Sequence, residues 1–336
     1  MATTATTPIG RAAASMTTAL TRNPWAGFAL RRCWRLLVSL AVLVTASFAM
    51  IHLIPGDPVR AALGTTASPA LVAAEKHSLG LDQPLLSQYV TFLGNLFRGR
   101  LGESISTQLP VSQIISSRLP ATLEIAVPAF VLILLTAIPL GMSAAVLTKD
   151  GRRRRGELAF TTATGLLGAV PEYLLAVGLV AAFAVALPIF PAASQGGPSS
   201  YVLPVLSLTV IPAAVLSRIV RVETLRVLGE DYMRTARAKR LPARLHYLRH
   251  ALPNLLTSSL TLGGMLFTSL LAGTVLIENV FAWPGLGATI VTAITQKDYP
   301  LVQGIVLVYG SASLLITFAV DMALGLADPQ STIRGS

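Results

Sequence analysis

Six long apolar runs constrain this chain more than any other feature: 36–54, 123–147, 158–187, 201–217, 255–277 and 301–327. A helix crosses the hydrocarbon core of a bilayer in about 20 mostly apolar residues, so each run predicts one membrane span. The fourth run is short and the third is long. Pro171 lies inside the third and Pro212 inside the fourth, where a proline removes a hydrogen bond and kinks the helix. Little charge is left to build a hydrated surface. Only 12% of residues are charged, 53% are hydrophobic and the mean hydropathy is +0.67, whereas soluble domains carry about 25% charged residues. A cytosolic enzyme and a disordered chain are excluded on this ground. The single cysteine, Cys33, excludes a disulfide framework and a cysteine-based metal cluster. The fold class that follows is all-α, a polytopic membrane protein with six transmembrane helices.

A net charge of +11 would suggest a nucleic-acid partner in a soluble protein. Its placement points to a membrane instead. Arg11, Arg22, Arg31, Arg32 and Arg35 precede the first run, Lys149 and Arg152 to Arg155 separate the second from the third, nine cations lie in 218–250, and Arg334 is near the end. These twenty fall on one face only if there are six spans with both termini inside. The other face then holds six: Arg60, Lys76, Arg98, Arg100, Arg118 and Lys297. Cytoplasmic loops are the ones enriched in Lys and Arg, so both termini are expected to be cytoplasmic.

The expected organisation is a disordered cytoplasmic tail over 1–30, a transmembrane domain over 31–330 and a short C-terminal tail over 331–336. The first 20 residues are rich in Ala and Thr and contain no acid, as in a targeting peptide, but a solvated tail is the simpler reading. An external loop spans 55–119, with turn signals at Pro55-Gly56-Asp57-Pro58 and helix-like stretches near 68–77 and 84–97. A Gly/Pro/Ser-rich external turn covers 188–200. A polar interior loop covers 218–253.

Several chemistries have no footing. No Gly-x-x-x-x-Gly-Lys-Ser/Thr loop, His-Glu-x-x-His or Gly-x-Ser-x-Gly occurs, and His52, His77, His246 and His250 are scattered. No catalytic residue and no metal site is assigned. Acids in the spans are few. Glu124, Glu278 and Asp321 fall near span ends and read as interfacial residues with hydrated heads. Glu172 alone falls deep, directly after Pro171. It either stabilises the kink or lines a polar path. The chain thus resembles a membrane pathway without its own source of energy, and the interior loop is the surface on which a partner would act.

In that loop a helix beginning near Asp231 carries acid in its first turn and Lys239 and Arg240 in its last, the order the helix dipole favours. Tyr232, Ala236 and Lys239 share a face, flanked by Met233 and Arg237, and Pro242 suits the start of a second short helix. The segment reads as a protein socket more readily than as a basic helix lying on anionic headgroups. Pro55 and Pro58 end the first span outside. Trp283 suits an interfacial anchor beyond the fifth span, and Pro284-Gly285 breaks the helix there.

These residues resemble the inner-membrane permease subunit of binding-protein-dependent ABC transporters, in the dipeptide/oligopeptide branch. The family's cytoplasmic signature is Glu-Ala-Ala, three residues, Gly, nine residues, Ile-x-Leu-Pro. Arg234-Thr235-Ala236 and Leu252-Pro253 fall on its two ends with the spacing kept, while Arg240 stands at the Gly and His250 at the Ile. Other matches are Ile54-Pro55-Gly56-Asp57-Pro58, Leu79-Gly80-Leu81-Asp82-Gln83-Pro84, Gly102-Glu103-Ser104-Ile105-Ser106, Arg118-Leu119-Pro120-Ala121-Thr122 and Glu278-Asn279-Val280-Phe281-Ala282-Trp283-Pro284-Gly285-Leu286-Gly287.

The resemblance implies a type I ABC importer permease fold and a non-catalytic pore subunit for short peptides in a bacterial inner membrane. It implies a second homologous permease, two cytoplasmic ATPase subunits that hold ATP and Mg, and an external solute-binding protein, with no cofactor in this chain. Coupling to the ATPases is carried over to Asp231, Tyr232, Arg234, Thr235, Ala236, Arg237, Ala238, Arg240, Leu252 and Pro253. Another small solute such as nickel is an alternative cargo. A stand-alone secondary carrier and an intramembrane enzyme are the competing classes, and the second needs a convergent constellation that is not assembled here.

Overall fold

The computed structural model describes residues 24–53, 59, 60, 64, 67–78, 80, 82–151, 153–194, 196–231, 233 and 252–327. Along these the chain forms helices α1 (Pro24–Leu53), α2 (Pro69–Ser78), α3 (Leu85–Phe97), α4 (Val111–Thr148), α5 (Arg154–Ala169) and α6 (Glu172–Leu179). They continue with α7 (Val202–Gly229), α8 (Leu252–Val280), α9 (Leu286–Thr295) and α10 (Tyr299–Ala327). Four elements are each long and apolar enough to cross a bilayer: α1, α4, α7 and α10. Helix α8 has 29 residues, about 1.5 Å of rise for each, and its Gly264–Val280 part is apolar. Among the described residues the six apolar runs coincide with helices except at the break in the third, and four helices, or five with the bent pair α5–α6, meet the length and composition of a span.

The third run is where the kink expected at Pro171 becomes a corner. Helices α5 and α6 meet at 94°. Val170 is extended (φ −79°, ψ 129°), the conformation forced on a residue before proline. Pro171 is extended too, and its carbonyl accepts from Leu174 and Leu175 to start α6. Past Leu179 the helix widens into a π-helical turn, Val180–Ala186. Pro212, by contrast, sits inside an uninterrupted α7 and is buried.

Helices overrun the apolar runs at several edges. Residues 24–30, expected as tail, are helical in α1. Residues 111–119, expected as loop, are the first turns of α4, and 218–229, expected as interior loop, continue α7. A helix needs a partner for its backbone, not an apolar side chain at every position, so it continues into water where polar residues cover it. Helices α2 and α3 match the expected stretches near 68–77 and 84–97.

The most extensive packing is between α4 and α7, flanked by α5, α6 and α8, with α10 bridging α8 to α1. Helix α7 is buried along most of its length, through Leu203, Leu208, Ala213, Leu216 and Val220. Close approach depends on Gly141 of α4, where a Cβ would stand 2.5 Å from the carbonyl oxygen of Ser217. Small residues at such crossings let helices gain dispersion contact where lipid offers no hydrophobic drive. The core joins Ile125, Ile133, Leu208, Leu216, Ile277 and Phe281. One end of the bundle, the loop end, carries the 98–110 turn and α9. The other, the basic end, carries Lys149, Arg153 to Arg155 and Arg221.

Candidate functional site

At the loop end two buried carboxylates organise the mouth of the bundle. The first is Glu278, in the last turn of α8 and 0% exposed. Past it the helix stops in a Schellman arrangement: the Trp283 N–H donates to the Glu278 carbonyl at 2.8 Å, and Ala282 takes the left-handed conformation (φ 49°). The chain then folds back as α9, and Glu278 satisfies the start of that helix by accepting from the Ala288 N–H at 2.9 Å. The Thr122 hydroxyl of α4 donates to Glu278 at 2.7 Å and accepts from the Leu286 N–H at 2.8 Å. Gly285 is required by this fold-back, since a Cβ there would stand 2.5 Å from the Glu278 carboxyl atoms.

Trp283 is 3% exposed, which corrects its expected place at the lipid interface. Its indole N–H donates to the Ala121 carbonyl at 2.8 Å, and its ring meets Tyr201 edge-on at 4.7 Å. The 118–122 motif, which leads into the second span, and the 278–287 motif, expected to end the fifth, are thus one interlocked unit. Arg118 adds a long contact, 3.4 Å, to the Pro284 carbonyl.

The second carboxylate is Asp298, also 0% exposed. Helix α9 ends as α8 does, with Lys297 left-handed (φ 58°) and the Asp298 N–H donating to the Ala293 carbonyl at 2.8 Å. Asp298 then receives the hydroxyls of Ser104 (2.5 Å) and Ser106 (2.6 Å) and the backbone N–H groups of Ile105 (3.2 Å) and Ser106 (3.1 Å). It also accepts from the Leu301 N–H at 3.3 Å, which starts α10. Burial pushes this carboxyl up, but the hydroxyl and backbone donors outweigh it and hold Asp298 below the usual carboxylate range. One side chain therefore fixes the 104–106 turn to the junction of α9 and α10.

At the basic end Arg221 of α7, its side chain 13% exposed, donates to Glu157 of α5 at 2.7 Å and to the Thr148 hydroxyl of α4 at 3.1 Å. Three helices are pinned about two turns before the end of α7 at Gly229. Asp321 of α10 pairs with Arg32 of α1, so its head is partnered by protein. Glu124 accepts from the Tyr201 hydroxyl at 2.9 Å.

Of the residues expected to matter, Glu172 begins α6 at the corner. A Cβ at Gly273 of α8 would stand 2.8 Å from its Oε2. Asp231 is exposed just past α7, and Leu252 and Pro253 open α8. Tyr232, Arg234, Thr235, Ala236, Arg237, Ala238 and Arg240 lie outside the described residues, as do Pro55, Gly56, Asp57 and Pro58. Asp298 and the Arg221 hub were not singled out by sequence reasoning. The only hint was the Ser104–Ser106 motif, which lacked its partner. No group of three or more His, Cys, Asp or Glu residues suited to a metal occurs among the described residues.

The model of the family described as "Binding-protein-dependent transport system inner membrane component" matches residues 137–332, and its N-terminal companion matches 26–126. The chain belongs to that family. It is 36% identical to the probable D,D-dipeptide transport system permease protein DdpB of Escherichia coli K12, over 89% of this chain and 96% of that one. It is 34% identical to the dipeptide transport system permease protein DppB of Bacillus subtilis (91% and 97%) and to the glutathione transport system permease protein GsiC of Salmonella paratyphi A (90% and 97%). Among solved structures, an inward-facing MetNI methionine ABC transporter aligns with a TM-score of 0.50 at 18% identity, covering 64% of this chain and 97% of that one. That likeness supports the fold of an ABC importer permease. The permease is a multi-pass inner-membrane protein, a non-catalytic subunit whose family works with an ATPase and a binding protein.

Proposed function

We propose that this permease is one of two homologous pore subunits of an ATP-driven importer of short peptides. The observation that carries the reading is the end-to-end match with peptide and glutathione permeases, which covers about nine-tenths of this chain. The basic end faces the cytoplasm, in line with the twenty cations sorted there by the positive-inside pattern. Both termini lie on that side. The residues before α1, which begins at Pro24, and the last residues 331–336 are appendages to the transmembrane domain.

The interior segment 218–253 docks an ATPase subunit, one of two in the assembly that hold the ATP and Mg. Asp231, Tyr232, Arg234 to Ala238, Arg240, Leu252 and Pro253 form the contact, and a small residue at Ala236 permits close approach. The Arg221–Glu157–Thr148 hub passes the displacement of that segment to α4 and α5 together, because one guanidinium bonds Glu157 of α5 at 2.7 Å and the Thr148 hydroxyl of α4 at 3.1 Å. Glu172, at the corner between α5 and α6, borders the path. Specificity resides mainly in an external solute-binding protein that docks at the loop end over 55–119 and 188–200.

The test is purification of the full chain in mild detergent by a tag fused after Ser336. A second permease and two ATPases are expected to co-purify, and the tag is expected to be shielded from antibody in intact spheroplasts. Purification of the chain alone, or a tag exposed outside, contradicts the reading.

A further inference from the structure

A cleft of about 560 Å3 opens at the loop end between the 106–109 turn, the first turns of α4 and the length of α9. Its volume falls in the range of small-molecule sites, about 300–1,000 Å3. Hydroxyls and amides from Ser106, Gln113, Thr289, Thr292 and Gln296 line it, and Arg118 is its one charged lining residue. Glu278 and Asp298, which bond to residues bordering the cleft, are both 0% exposed and satisfied by the donors described above, and the exposed Glu103 does not line it. Arg118 is exposed and makes a single long hydrogen bond, 3.4 Å to the Pro284 carbonyl, among the described residues. The cleft is therefore a largely apolar wall, formed by side chains such as Leu109, Ile114, Trp283 and Leu301, with a few neutral polar groups and one exposed guanidinium.

We infer that this cleft is a mouth subsite for the carboxylate end of the peptide, with Arg118 as its specificity-determining residue. The inference rests on the peptide-importer reading and deepens it. A guanidinium presents paired N–H groups that match the two oxygens of a carboxylate. The Ser106, Thr289 and Thr292 hydroxyls already donate within the protein and can only accept, so the Gln113 and Gln296 amides are the groups that both donate to and accept from peptide amides, without demanding a sequence. The wall behind Arg118 is rigid, because Trp283 is fastened to Ala121 and Gly285 abuts Glu278, so little ordering is needed on arrival. With no acid lining the cleft, the amino end is left free, which lets peptides of different length share one anchor. An exposed, solvated contact is weak, as passage requires.

The experiment uses the complete complex in proteoliposomes with saturating binding protein. It compares uptake of a dipeptide with uptake of its C-terminal amide. The binding protein's own preference is the same for every variant, so the change in the acid-to-amide ratio isolates the permease. Arg118→Gln is expected to lower that ratio about tenfold, and Arg118→Lys, which keeps the charge and loses the fork, about threefold. A ratio unchanged in Arg118→Gln overturns the subsite, including the case where both uptakes fall equally from misfolding or lost docking. If the wild-type complex takes up neither peptide under ATP, the importer reading itself fails and the subsite falls with it.

Discussion

Replacing Gly285 with Val is expected to open the mouth of the bundle and leave a permease that inserts poorly and unfolds early in detergent. A side chain at this position has nowhere to go. Its Cβ would stand 2.5 Å from three atoms of the Glu278 carboxyl group, and that group cannot retreat without dropping the Thr122 hydroxyl and the Ala288 N–H. Each buried donor left without an acceptor costs about 1–3 kcal/mol, so the loss is about 3 kcal/mol or more. Glu278→Ala removes the same acceptor without the clash and is expected to lose a comparable amount through the orphaned donors. Thermal unfolding of the two purified variants checks this, with the Trp283 environment followed by fluorescence. A Gly285→Val protein as stable as the wild type would mean that α9 is not held by Glu278.

Acid is expected to release the 104–106 turn before it unfolds the bundle. Asp298 is held below the ordinary carboxylate value by the Ser104 and Ser106 hydroxyls and by two backbone N–H groups of the turn. A carboxyl depressed in the folded state stabilises it at pH above the unfolded value, about 3.9. That contribution disappears as pH falls through the lower folded value. Amide exchange in residues 102–109 is therefore expected to be slow at pH 6 and to quicken, after correction for intrinsic rates, below pH 4. Asp298→Asn is expected to exchange fast at both pH values, because a neutral amide holds hydroxyl donors less strongly than a carboxylate. Asp298→Ala leaves at least four donors unpaired and is expected to lose about 3 kcal/mol or more. Exchange that is independent of pH in the wild type would remove Asp298 as the fastening.

The spans were legible because lipid imposes one rule, about 20 apolar residues for each crossing; among the described residues four helices meet it, and a fifth if α5 and α6 form one bent span. Helices α2 and α3 were legible from the turn residues around them. What sequence could not supply were contacts between distant segments. Glu278 is the first residue past the end of an apolar run, a place that reads as hydrated. It is buried because α9 folds back ten residues later and because Thr122, 156 positions away, completes its shell. Trp283 read as an interfacial anchor for the same reason, since an aromatic beyond a span end meets headgroups unless another motif covers it. Ala121 and Tyr201 cover it. Asp298 carried no periodic or motif signal, and its partners lie more than 190 positions earlier. The corner at Pro171 was legible as a kink, but its 94° angle depends on how α6 packs across α7 and α8.

ATP-driven uptake of a labelled dipeptide into proteoliposomes, using the complex purified through this chain together with its binding protein, tests the central claim most directly. Uptake is expected only with ATP and Mg on the ATPase side and is expected to persist when the proton gradient is collapsed. Uptake that proceeds without ATP and follows an imposed proton gradient would contradict the account and make the chain a carrier in its own right.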